Sequence, residues 1–261
     1  MNDSPSIVSL QVDRDGIALV QMRDEVHKNT FTHAFTAQLN ECLEQLADPQ
    51  IKVCVLCGLE EVFCAGGNLD LLLDLAEGRV KPYDLRLTQV LMGAPVPTIA
   101  AMAGAAVGGG LMLGLCCDVV VLARESRYGC NFLDLGITPG MGSTALLKAA
   151  MGEYLAAEML FGGQYFRGTQ LQGRSQVNYI APRSQVEEQA VKVARRFCDK
   201  ERCHLELLKR TLSLPRRRAL EEALTLEALM HEVCFAAPET RQRIEENYLA
   251  IVVDKGERNA D

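Results

Sequence analysis

Residues 98–117 read TIAAMAGAAVGGGLMLGLCC, twenty positions without a charge. On length alone such a run suits a membrane span. Its internal punctuation says otherwise. Gly104 interrupts the strand-like Thr98 to Met102, and Gly108-Gly109-Gly110 opens a short apolar helix ending near Cys116. Asp118 closes the run, and Val119 to Ala123 begins another apolar strand. Strand, glycine turn, helix and strand in that order predict a buried parallel sheet with helices packed around it.

The same pattern extends outward. Ile7 to Val12 and Gly16 to Met22 alternate apolar and polar residues about Asp13-Arg14-Asp15-Gly16, which predicts a hairpin. Thr32 to Leu46 carries Phe35, Leu39, Cys42, Leu43 and Leu46 at helical spacing, and Asp48-Pro49 ends that helix before a strand at Val53 to Leu56. Beyond Ala123 the chain passes Tyr128 and a turn at Gly136-Ile137-Thr138-Pro139-Gly140. The last third changes character. Ser184 to Cys198, Arg202 to Leu212, Ala219 to Phe235 and Pro238 to Ala250 are all helical patterns. The expected organisation is a core over residues 1–201 and a C-terminal helical layer over residues 202–261, packed together without a flexible linker. There is no internal repeat.

Composition narrows the function. The 261 residues are 48% hydrophobic and 23% charged, enough for a sizeable core. A net charge of −7 repels nucleic-acid phosphates and anionic lipid, so neither nucleic acid nor membrane is an expected partner. Ten cysteines include no pair of spacings that would complete a zinc site, and no metal is expected. Cys54 and Cys57 belong to the apolar run that starts at Ile51, where they read as buried strand residues rather than a redox pair. So many thiols suit a reducing cytosol, and Met1 to Ser9 lacks the basic and apolar regions of a signal peptide. A cytoplasmic protein is expected.

Two glycine turns carry the chemistry. They are Phe63-Cys64-Ala65-Gly66-Gly67-Asn68-Leu69, and Gly104 to Gly110 within Ala101 to Gly110, the latter followed by Cys117-Asp118. With Asn29 in His27-Lys28-Asn29-Thr30-Phe31 and the loop Gly136 to Gly142, they resemble, in order, the crotonase (enoyl-CoA hydratase/isomerase) superfamily from about Ile7 to Tyr248. The resemblance implies an α/β crotonase fold, with repeated ββα units in a spiral core and a C-terminal helical layer. It also implies an oxyanion hole made by the N–H groups of Gly67 and Gly109, with the helix from Gly110 aimed at the oxygen. A thioester carbonyl that becomes an enolate gathers negative charge on oxygen, and two preorganised donors stabilise it by about 3 kcal/mol each. Glycine lets the backbone approach that closely.

The chain departs from the hydratases it resembles where their two catalytic glutamates stand. Here those positions hold Met112 and Phe132, neither of which can carry a proton. Asp134, two residues on, is the alternative acid. Two other candidates are Lys81, in the loop after the first glycine turn, and His231, on the helical stripe with Leu220, Leu224, Glu227 and Cys234. This combination resembles the decarboxylases of the HMG-synthase cassette, which install β-methyl branches on polyketide chains. That resemblance makes Lys81, rather than Arg79 or Arg86, the ammonium that holds a distal carboxylate, and His231 the proton donor. Glu227, one turn earlier, is expected to keep His231 charged. Tyr83 and Asp84 are candidates for shaping the pocket.

The implied substrate is a 3-methylglutaconyl-type thioester on an acyl carrier protein, converted to a 3-methylcrotonyl-type thioester. No cofactor is implied beyond the phosphopantetheine arm of the substrate. Carrier proteins are acidic, and Arg216-Arg217-Arg218 with Lys209 and Arg210 is the expected basic patch. The resemblance also implies a homotrimer whose C-terminal helices complete the active site. Two rival readings are an enoyl thioester isomerase using Asp134 and a non-catalytic scaffold binding RNA or a synthase, the latter supported only by the arginine run.

Overall fold

The computed structural model describes residues 6–81 and 85–257. A hairpin, β1 (Val8–Val12) and β2 (Ile17–Met22), leads into α1 (His33–Glu44), β3 (Val53–Cys57), β4 (Val62–Cys64), α2 (Leu69–Ala76) and α3 (Leu87–Met92). There follow β5 (Thr98–Met102), β6 (Ala105–Val107), α4 (Gly109–Leu115), β7 (Val119–Ala123) and β8 (Arg127–Gly129). The chain continues through α5 (Ser143–Met151), α6 (Glu153–Gly162), β9 (Tyr165–Arg167), α7 (Gly168–Leu171) and β10 (Tyr179–Ala181). It closes with α8 (Val186–Cys198), α9 (Arg202–Phe235) and α10 (Thr240–Glu257).

Two sheets form the core. The larger runs β1-β2-β3-β5-β7-β10 and is parallel except for the hairpin. The smaller runs β4-β6-β8-β9, with only β9 antiparallel. Every residue of β3 and β5 is buried, because both faces of the large sheet are covered. On one face Val186, Ala190, Val193 and Ala194 of α8 pack against Val53, Val55, Ile99, Ala101 and Val121. On the other, Cys54, Leu56, Ala100 and Met102 pack against Phe35, Leu39, Leu91 and Leu113.

Local chemistry fixes the joints. Asp13 Oδ1 accepts from the N–H groups of Asp15 and Ile17, and Gly16 takes φ +86° at the hairpin. Thr32 caps α1 by accepting from Phe35 N–H at 3.1 Å. The fully buried Tyr128 joins the two sheets, its hydroxyl donating to Met102 O at 2.6 Å and accepting from Ala123 N–H at 2.8 Å. Three expectations need correction. Gly104 to Gly110 is not one turn, since Ala105–Val107 pair with β4 and β8 in the small sheet. The helices expected at Arg202 to Leu212 and Ala219 to Phe235 are one 34-residue helix, α9, with Pro215 inside it. The last helix runs Thr240–Glu257 rather than Pro238 to Ala250.

An internal proline removes a backbone hydrogen bond at a cost of about 3 kcal/mol, so α9 needs anchors on both sides of it. On one side Lys209 Nζ, almost fully buried, pairs with Asp118 Oδ2 at 2.6 Å, and Asp118 also accepts from Thr98 N–H and Oγ1. On the other, Arg216 donates to the carbonyls of Leu115 and Cys117 at the end of α4. The expected basic patch is corrected accordingly. Lys209 is interior and Arg216 is engaged with the core, which leaves Arg210, Arg217 and Arg218 exposed. No helix among the described residues is long and apolar enough to cross a membrane.

Candidate active site

The two glycine segments meet. Gly66 takes φ +83°, and a Cβ there would lie 2.6 Å from Val107 O and 3.5 Å from the backbone nitrogens of both Gly109 and Gly110. A Cβ on Gly110 would collide with the Cys64 carbonyl. Only glycine permits this approach. Asn29, fully buried, holds the first turn: its Nδ2 donates to Phe63 O at 2.9 Å and Met22 O at 3.1 Å, and its Oδ1 accepts from Asp24 N–H at 2.8 Å. Phe31 N–H donates to Gly66 O at 2.8 Å. Gly109 opens α4, so its N–H has no partner inside that helix. No hydrogen bond among the described residues takes up the Gly67 N–H.

The positions of the absent glutamates are filled with apolar groups. Met112 is wholly buried in the main core. The Phe132 ring lies about where a side chain on Gly108 would touch it, at 3.5 Å, and packs against the cluster of Leu72, Leu135, Ile137 and Ile244. Asp134 is exposed and sits against Gly163. Residues 131–136 are not a strand. Leu135 N–H donates to Asn131 O and Ile137 N–H to Phe132 O, a succession of turns.

His231 lies buried near the end of α9, stacked on Phe235 at 5.2 Å between ring centroids. A carbonyl only accepts, so its Nε2–H donates to Thr138 O, at 3.0 Å. Among the described residues its buried Nδ1 has no hydrogen-bond partner, and the Thr138 hydroxyl is likewise unmatched. The loop that receives His231 also reaches the oxyanion turn: a Cβ on Gly140 would lie 3.0 Å from the His231 ring, and one on Gly109 would lie 2.5 Å from Met141 Sδ. Glu227 does not serve as expected. Its carboxylate accepts from Gly142 N–H at 2.7 Å, Thr144 N–H at 2.9 Å and Thr144 Oγ1 at 2.8 Å.

Lys81 is exposed where the chain leaves the turn after α2. Its rival Arg79 is committed to Asp74 and Glu77, with Arg241 of α10 also on Glu77. Arg86 is exposed at the start of α3, in a left-handed conformation. Tyr83 and Asp84 lie outside the described residues. The apolar wall here comes from α2, the Phe132 turn and the last two helices, with Leu69, Leu73, Leu75, Phe235 and Tyr248 packed on Leu72, Leu135, Ile137 and Ile244. Neither α2 nor this wall was visible in the helical patterning used above. Leu71, Leu72 and Leu73 stand in succession with no polar face between them.

Cys54 and Cys57 are strand residues of the core, and burial pushes both thiols far above the ordinary range. Burial likewise pushes Cys64, Cys117 and Cys130 to about 12. These are not nucleophiles at neutral pH.

Comparison with known proteins agrees with this geometry. The profile of the enoyl-CoA hydratase/isomerase family matches residues 13–249. Bacillaene synthase decarboxylase PksI of Bacillus subtilis (strain 168) is 36% identical over 244 residues, 93% of this chain and 98% of that protein. Among solved structures, one from a dehydratase/decarboxylase enzyme couple involved in polyketide β-branching superposes with a TM-score of 0.88 at 36% identity, covering 92% of this chain and 98% of that one. The ECH2 decarboxylase domain of CurF from Lyngbya majuscula gives 0.85 at 30%, covering 93% and 99%. The chain belongs to the enoyl-CoA hydratase/isomerase family and has the crotonase fold. Within that family it is an enzyme of the decarboxylase branch, a carbon–carbon lyase of polyketide β-branching.

Proposed function

We propose that the protein decarboxylates a 3-methylglutaconyl-type thioester carried by an acyl carrier protein, giving a 3-methylcrotonyl-type thioester. The observation that carries the reading is a pair of converging glycine turns beside two glutamate positions that hold Met112 and Phe132. Such a site can stabilise an enolate but has, at those two positions, no carboxylate to activate water. Something other than proton abstraction must then supply the electrons. In this reading the bond between the distal carboxylate and its methylene breaks, carbon dioxide leaves, and the electron pair moves through the conjugated system to the thioester oxygen. Gly67 and Gly109 N–H groups stabilise that dienolate.

Lys81 holds the carboxylate before it departs. With Nε2–H committed to Thr138 O, Nδ1 is the nitrogen of His231 left to carry a second proton, and in this reading the imidazolium delivers that proton to carbon and returns to the neutral ring, closing the reaction. No cofactor takes part besides the phosphopantetheine arm of the substrate. The enzyme works in the cytoplasm as a homotrimer, and the exposed Arg210, Arg217 and Arg218 are candidate contacts for an acidic carrier. Lys81→Ala and His231→Ala test this mechanism. Each should abolish carbon dioxide release from the carrier-bound thioester, and full activity in both variants would remove it.

A further inference from the structure

Glu227 is 2% exposed, and among the described residues no cation pairs with it. A buried carboxylate without a cation is costly unless donors surround it. Its donors all come from Gly142 and Thr144, at the start of α5. They hold a turn that needs holding, because Met141 and Gly142 are both left-handed, at φ +61° and +78°, and methionine is strained there. Ser143 Oγ braces the same turn by donating to Gly140 O at 2.8 Å.

The turn has His231 on one side and Gly109 on the other, through Thr138 O, Gly140 and Met141. Glu227 and His231 stand one helical turn apart on α9. A closed circuit therefore runs from Glu227 to Gly142 and Thr144, back along the loop to Thr138 O, and from there to the His231 ring. We propose that Glu227 is a positioning residue: by clamping the Gly140–Thr144 turn it sets where the His231 ring stands relative to the oxyanion donors, and so which carbon of the dienolate is protonated. This rests on the assignment of His231 as proton donor. A shift of about 1 Å in such a group can cost about a hundredfold in rate.

Glu227→Gln in the full-length protein tests it, because the amide turns one acceptor into a donor that faces an N–H. The measurements are kcat and KM for carbon dioxide release, the ratio of α,β- to β,γ-unsaturated product, and the thermal midpoint. Mispositioning predicts that kcat falls about ten- to hundredfold with KM within about twofold, and that the product becomes a mixture of isomers. A lower midpoint with wild-type kcat and isomer ratio overturns the proposal. Should Glu227→Gln fail to fold, Thr144→Val decides, since it removes only the hydroxyl donor. It should give a smaller kcat loss with the same drift in isomer ratio, and wild-type values for both overturn the proposal. Absence of decarboxylation in the wild type sinks the underlying reading as well, whereas an active wild type beside an unaltered variant sinks only the role of Glu227.

Discussion

Gly66→Ala moves the two oxyanion segments apart by an amount the structure fixes. The new methyl would lie 2.6 Å from Val107 O, whereas a carbon and a carbonyl oxygen rest at about 3.4 Å. The Gly66 turn and the strand ahead of Gly109 must then separate by about 0.8 Å. One of the two donors stretches beyond useful hydrogen-bond length, and loss of a single oxyanion donor costs about 2.7–4 kcal/mol, or roughly 10²–10³ in kcat. A second cost, about 1–2 kcal/mol of folding stability, comes from placing alanine at φ +83°. Gly173→Ala separates the two effects, because Gly173 has φ +74° and nothing within 4 Å of its added Cβ. By denaturant titration Gly173→Ala should lose only that conformational cost and Gly66→Ala more, and only Gly66→Ala should lose carbon dioxide release, assayed well below its melting point. A folded Gly66→Ala enzyme with kcat within about threefold of wild type refutes the oxyanion geometry.

Three further outcomes follow from named contacts. Asp118→Ala strands the buried Lys209 ammonium and should cost about 3–5 kcal/mol in chemical denaturation, and a loss below about 1 kcal/mol contradicts the anchoring of α9. Cys64, Cys117 and Cys130 keep their protons in the fold up to about pH 12, whereas the unfolded chain loses its thiol protons from about pH 8.5. Their raised values contribute stability that is complete below the unfolded value and is lost as pH rises toward the folded one. Each thiol should lower unfolding free energy by about 1.4 kcal/mol per pH unit over that window, and a flat denaturation midpoint from pH 8 to 11 contradicts their burial. Asp134→Ala should leave decarboxylation within about twofold of wild type, because that carboxylate faces Gly163 and solvent, and a hundredfold loss favours the isomerase-type acid.

Much of this was legible because local and global signals agree. Gly104, the Gly108–Gly110 run and Asp118 broke an uncharged stretch into strand, turn and helix, and β5, α4 and β7 stand there. Gly66 and Gly110 declared themselves because close backbone approach admits only glycine. Other features depend on distant partners and left no local mark. Pro215 reads as a helix break until Lys209 and Arg216 find Asp118 and the α4 carbonyls. Glu227 looked like a neighbour for His231 at helical spacing, but its donors come from a loop 83 and 85 residues away. Residues 131–136 are turns, where no helical or strand period places a side chain, so the setting of Asp134 left no mark either. The short strands of the small sheet, three residues each, are too brief to show a period.

Loss of carbon dioxide, rather than addition of water, is the proposed reaction at the oxyanion site. Intact-protein mass spectrometry of a carrier protein loaded with a 3-methylglutaconyl thioester measures this directly. Incubation with the wild-type enzyme should lower the acyl mass by about 44 Da, one carbon dioxide. An increase of about 18 Da, one water, or an unchanged mass under conditions where the thioester stays intact, contradicts it.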